Sequence, residues 1–155
     1  MLIQAFHKFA RQTYFVKLWA APVWVLLGLT KLMIFTLPFR LLASRLGTPQ
    51  GNQYWVPLLS DTQQRRAQQI SRVVQGMAVY TPWNSNCFPQ AITARVLLGL
   101  YGIPGTLFFG LAKDHQHELS AHAWVVAGQI RVSGGYSFNQ FTVMNAFLFE
   151  RQSRT

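Results

Sequence analysis

Hydrophobic residues recur along this chain at two different spacings, and the change between them divides the sequence. From Asp61 onward, Ala67, Ile70, Val73, Val74 and Met77 return at steps of three and four, the period of an amphipathic helix. Asp61 or Thr62 can cap it, and Arg65, Arg66 and Arg72 fall mostly on its polar side. Tyr80-Thr81-Pro82-Trp83 breaks the pattern, because proline pushes the residue before it out of helical conformation. A second stripe follows in Ala91, Ala94, Leu97, Leu98 and Tyr101, with Ser85 or Asn86 as cap and Pro89 tolerated in the first turn. Gly102-Ile103-Pro104-Gly105 ends this helix, and the pattern beyond it is that of strands. Thr106 to Leu111 and Ala121 to Val126 are the first two, separated by the polar loop Lys113 to Glu118. Ala127-Gly128-Gln129 turns the chain so that Ile130-Arg131-Val132 returns antiparallel, Gly134-Gly135 closes that strand, and Phe141 to Met144 forms a last short one.

Upstream the pattern is less decisive. Leu18 to Leu29 is apolar but is bracketed by Lys17 and Lys31 and contains Pro22, which leaves it short of the roughly 20 residues a membrane span needs. Lys31-Leu32-Met33-Ile34-Phe35 offers no small-residue cleavage site of the secretory kind. Residues 1–47 are therefore expected to be one or two apolar helices with a break near Leu37-Pro38, packed on the core or lying in a membrane interface through residues 15–40. Gly47-Thr48-Pro49-Gln50-Gly51-Asn52-Gln53 has the composition of a linker, and residues 54–150 form the second unit. The fold class is α+β, with a small antiparallel sheet.

With 155 residues, the chain is long enough for one core but not two. It is 50% hydrophobic and only 12% charged, which excludes disorder and predicts that some apolar surface meets a partner or a membrane. Fourteen Lys and Arg against four Asp and Glu give a net charge of +10, a field that attracts anionic lipid, acidic peptides or polyanions. Arg40, Arg45, Arg65, Arg66, Arg72 and Arg95 are scattered through the sequence and match no nucleic-acid motif, so nucleic acid is not an expected partner. A single cysteine can form no internal disulfide and no zinc quartet, which fits a cytoplasmic location with membrane-surface contact as an addition.

That cysteine, Cys87, falls where the second helix starts. A cysteine attacks as its thiolate; the unpaired N–H groups of a first helical turn favour the anion, and a histidine in contact can take the proton. His122 stands 122 − 87 = 35 residues on, at the start of a strand, between Ala121 and Ala123. Cysteine on a helix followed by histidine on a strand is the chain order of papain-like and transglutaminase-like thiol enzymes. The competing explanation is an inert core cysteine and a hydrogen-bonded histidine. A metal site built from His115, His117 and His122 is the weaker reading, because His115 and His117 sit in a polar loop with only Asp114 and Glu118 nearby. Neither metal nor cofactor is expected.

The stretch Pro82-Trp83-Asn84-Ser85-Asn86-Cys87-Phe88-Pro89-Gln90-Ala91, then Arg95-Val96-Leu97-Leu98, Gly102-Ile103-Pro104 and Ala121-His122-Ala123-Trp124-Val125 resembles the transglutaminase-like leader peptidases of lasso-peptide biosynthesis, the microcin-processing-protein type. The likeness covers roughly residues 82–147, with weaker support from the amino-terminal helices and Pro38-Phe39-Arg40. It implies a cysteine peptidase that removes the leader from a ribosomally made precursor, with Cys87 as nucleophile and His122 as general base and acid. It also implies three partners: the precursor peptide, a separate small leader-recognition protein and an ATP-dependent lasso cyclase. Many relatives carry an aspartate twelve residues after the histidine; here 122 + 12 = 134 is Gly134. A backbone carbonyl of Ser133 or Gly134, a side chain from Asn139 or Gln140, or water then has to orient the imidazole. Two other functions stay open: an acyltransferase that passes the thioester to an amine, and a noncatalytic scaffold or membrane-associated maturation protein.

Overall fold

The computed structural model describes residues 12–51, 53–113, 119–135 and 137–150. Among the described residues there are four α-helices, α1 (Tyr14–Thr36), α2 (Phe39–Leu46), α3 (Asp61–Ala78) and α4 (Cys87–Leu100), with the first strand falling between α2 and α3. Five strands, β1 (Thr48–Pro49), β2 (Gly105–Lys113), β3 (Leu119–Ala127), β4 (Ile130–Ser133) and β5 (Thr142–Phe149), form one antiparallel sheet in the order β1-β5-β2-β3-β4. A 3₁₀ turn, Ser137–Gln140, lies between β4 and β5. The mixed helix and antiparallel-sheet class expected from the sequence is the observed one.

α4 packs across β2, β3 and β4, α3 packs on β4, and α1 covers α3 and α4. The strand alternation sends Leu107, Ala123, Val125, Ala127, Phe147 and Phe149 into this helix-covered core beside Leu27, Ile70, Val73, Leu97 and Leu98. The other face of the sheet carries a smaller cluster of Phe108, Trp124 and Ala146. Tyr54 meets Phe108 edge-on there, and Thr106 Oγ1 donates to the Trp55 carbonyl, which pins the segment after β1 to the sheet.

Several elements differ from their sequence expectations for identifiable reasons. α1 is one continuous helix of 23 residues through Pro22. Proline removes the bond to the carbonyl of residue i−4, here Leu18, and both residues are exposed, so the loss costs little where solvent can reach the carbonyl. α3 is capped by Ser60, one residue before the expected Asp61 or Thr62, through a capping box with Gln63. Arg65 and Arg72 are exposed as expected, whereas Arg66 is half-buried over the rings of Phe15 and Tyr101, 4.5 and 5.0 Å from their centroids. The segment read as a linker supplies β1, whose Thr48 and Pro49 pair with Leu148 and Phe147; proline is tolerated because the strand is an edge. β5 runs to Phe149, well past the expected Met144.

Arg95 joins helix to helix. Its Nε donates to the carbonyl of Leu46, the last residue of α2, at 2.9 Å, and its guanidinium lies 4.5 Å from the Phe149 ring centroid. Burial lowers its pKa from the ordinary arginine value, a cost offset by the carbonyl and the ring.

Candidate active site

Cys87 is the first residue of α4, and its position is set by the loop before it. The Thr81 and Ser85 hydroxyls lie 2.9 Å apart, and Thr81 Oγ1 lies 2.9 Å from the carbonyls of both Ala78 and Trp83. Gln90 Nε2 donates to the Ser85 carbonyl at 2.7 Å, tying the first turn of α4 back to this loop. From the other side, Thr30 of α1 is buried 3.4 Å from Thr93 and 3.5 Å from the Pro89 carbonyl. α1 thus supports the turn that carries the cysteine.

The amino terminus of α4 has an unusual inventory. Asn86 occupies the cap position but its side chain makes no capping bond, and the Ser85 hydroxyl is turned to Thr81. Pro89 has no N–H to satisfy. The first-turn N–H groups of Cys87 and Phe88 are therefore left without a cap, beside the thiol and at the positive end of the helix dipole.

His122 sits on β3, opposite Gly110 of β2. Its ring stacks on Phe141 at 4.7 Å and lies 5.8 Å from Trp124, both at 25° between planes. Gly110 has to lack a side chain, because a Cβ there would come 2.9 Å from Phe141 Cβ and from the Trp124 ring. Two register shifts lie close by. Phe109 pairs with Asn145 and Gly110 with Val143, leaving out Met144; Val125 pairs with Ser133 and Val126 with Arg131, leaving out Val132. Such bulges re-aim backbone at the end of a ladder.

The second bulge delivers Gly134, whose carbonyl oxygen lies 2.7 Å from His122 Nε2. A carbonyl only accepts, so Nε2 carries the hydrogen and Nδ1 is the basic nitrogen. Of the orienting groups considered from the sequence, the Gly134 carbonyl is the one in contact; Asn139 and Gln140 are exposed. Gly134 holds φ +93°, and a Cβ on it would collide with Trp124 Cβ. In this backbone conformation an aspartate at 134 does not fit, and the main chain takes its position beside the imidazole.

Cys87 and His122 line one cleft of about 340 Å³ together with Gln75, Gln90, Gly134 and Gly135. Gln75 comes from α3 and has a determined orientation. Its Nε2 lies 3.2 Å from the Val132 carbonyl and 2.9 Å from Ser71 Oγ, and the Ser71 hydroxyl hydrogen is directed to the Arg131 carbonyl. Both partners of Gln75 therefore accept, its amide nitrogen faces them, and its oxygen is left as the group it can offer a ligand. Gln75, Gly135 and Phe141 are not among the site residues expected from the sequence, although Gly134-Gly135 and Phe141 stand out there as a pattern. Gln75 is one more polar residue on a polar helix face, and nothing in its spacing marks it. Gly110, by contrast, left a signal as a glycine interrupting a strand of large residues.

His115 and His117, weighed as metal ligands with His122, lie outside the described residues, as do Asp114 and Glu118. Among the described residues no group of three or more His, Cys, Asp or Glu is gathered that could hold a metal ion.

Comparison with known proteins gives a match to the family model of the transglutaminase-like superfamily over residues 33–146, which takes in Cys87, His122 and all four other residues lining the cleft. No curated protein and no solved structure matches the chain.

Proposed function

Because the chain belongs to the transglutaminase-like superfamily, which includes cysteine peptidases and acyltransferases, we propose that it is a cysteine peptidase that removes the leader from a ribosomally synthesised lasso-peptide precursor. The observation that carries the chemistry is the shared cleft: a helix-start thiol and an imidazole whose distal nitrogen is held by a carbonyl. The sequence likeness to leader peptidases carries the choice of substrate.

In this mechanism Nδ1 of His122 takes the thiol proton and the Cys87 sulfur attacks the carbonyl carbon of the scissile amide. The negative charge that develops on the carbonyl oxygen faces the uncapped N–H groups of Cys87 and Phe88. Collapse of the adduct breaks the C–N bond, His122 returns the proton to the departing amine of the core peptide, and the leader remains as a thioester on Cys87. Water then attacks the thioester, giving its proton to His122; the C–S bond breaks, and the leader leaves with a new carboxylate while the thiol is restored. The freed core amine is the group that an ATP-dependent lasso cyclase would use, and a small leader-recognition protein would present the precursor.

The test is the mass of the products when the full chain meets the precursor and the recognition protein, with and without a large excess of a simple primary amine. The expected result is a leader ending in a carboxylate, and a core with a free amino terminus. A leader recovered mainly as the amide would assign acyl transfer instead. No cleavage, with precursor and recognition protein shown to bind, would overturn the choice of substrate.

A further inference from the structure

α1 carries apolar residues on two opposite sides, and the core uses only one. Val16, Ala20, Val23, Leu27 and Thr30 are buried against the domain. Leu18, Val25, Leu29 and Leu32 follow one another at steps of seven, four and three, so they share the opposite face, and each is more than half exposed. Phe35, Leu37, Phe39 and Leu41 continue the exposed apolar surface into α2. A helix of 23 residues is about 34 Å long, so this ridge is far larger than the scattered single apolar residues normal on a protein surface.

The charge around the ridge has one sign. The only acids of the chain are Asp61, Asp114, Glu118 and Glu150, so the first 60 residues contain no carboxylate side chain, while they hold Lys8, Arg11, Lys17, Lys31, Arg40 and Arg45. Arg40 and Arg45 are exposed on α2, and Lys31 lies 5.0 Å from the Phe35 ring centroid, at the border of the ridge.

We propose that the exposed face of α1 and α2 is a docking surface for an anionic lipid bilayer, on which the domain rests with α1 in the plane of the interface. Apolar side chains accompanied by cations of one sign, on helices that themselves carry no carboxylate side chain, fit the headgroup boundary. α1 is long and apolar enough to cross a membrane, but spanning would strip Val23 and Leu27 from the core cluster they share with Ile70, Val73 and Leu97. The helix therefore lies on the bilayer rather than crossing it.

The experiment is co-sedimentation of the full chain with vesicles of phosphatidylcholine containing phosphatidylglycerol, against phosphatidylcholine alone. The wild type is expected to bind the anionic vesicles, and to release as salt is raised. Val25→Asp with Leu29→Asp should lower the partition at least tenfold. Lys31→Gln with Arg40→Gln and Arg45→Gln, which leaves the apolar ridge intact, should lower it about a hundredfold, from roughly fivefold per cation. Circular dichroism checks that each variant keeps its fold. No binding to anionic vesicles, or equal binding by a folded Val25→Asp/Leu29→Asp variant, overturns the proposal. So does a wild-type dimer in solution that the aspartates dissociate and that vesicles do not bind, which would assign the ridge to a second copy of the chain. None of these results depends on Cys87, so this surface and the peptidase chemistry stand or fall separately.

Discussion

A carbonyl and a carboxylate hold an imidazole differently. Both fix the tautomer, but only the carboxylate brings a full charge to stabilise the protonated ring during turnover. In this chain the carbonyl of Gly134 does the holding, and the residue cannot be exchanged for an acid without moving the backbone. Gly134→Asp is thus predicted to lower the thermal midpoint, with a cost of about 1–3 kcal/mol from the left-handed conformation and the clash with Trp124, and to lose cleavage rather than gain it. A faster enzyme from Gly134→Asp would refute that account of the ring's support. Phe141 acts through the face of the same ring. Phe141→Ala removes a stack worth about 1 kcal/mol and should lower kcat by up to about tenfold, seen in steady-state cleavage, with little change in KM. Ser133, next to the bulge, has a buried hydroxyl with no hydrogen-bond partner among the described residues. Ser133→Ala should leave stability unchanged or raise it, measured by urea unfolding.

At the scale of elements, the sequence was most legible where a local rule and tertiary packing agree. The stripe from Ala67 to Val74 and the stripe from Ala91 to Leu98 are both buried as their spacing requires, and the turn at Gly128 joins β3 to β4 as its composition suggests. Disagreement came where the outcome depends on what lies opposite. Pro22 breaks a helix only if the lost bond is costly, and the sequence does not say that Leu18 faces solvent. β1 exists only because β5 offers it an edge, and a two-residue strand has no periodicity of its own. The cap of α3 lies one residue earlier than expected: Ser60, Asp61 and Thr62 are all competent caps, and both Ser60 and Asp61 have a glutamine three residues on, Gln63 and Gln64, so spacing alone does not choose between them. Ser60→Ala removes that box and is predicted to destabilise by about 1 kcal/mol, read as a lower denaturant midpoint with unchanged activity. The site was half legible in the same sense. Cys87 and His122 stand out by residue type and local context, and the Gly134 carbonyl is one of several orienting groups that the sequence allows, whereas Gln75 enters through the packing of α3 on β4, which no local pattern encodes.

For the molecule as a whole, α1 is the element on which two properties meet. Its inner face closes the core and reaches the first turn of α4 through Thr30, and its outer face is the apolar ridge. Leu27 is fully buried, so Leu27→Ala should cost roughly 3 kcal/mol in unfolding free energy, a loss that a merely tethered helix would not produce. The central claim is that Cys87 becomes acylated with the help of His122. It is tested most directly by quenching the full chain in acid during cleavage of the precursor, with the recognition protein present, and weighing the intact protein. The account predicts a wild-type adduct equal to the leader minus water, no adduct and no cleavage for Cys87→Ala, and acylation slowed at least a hundredfold for His122→Ala. Cleavage by Cys87→Ala at the wild-type rate would contradict it.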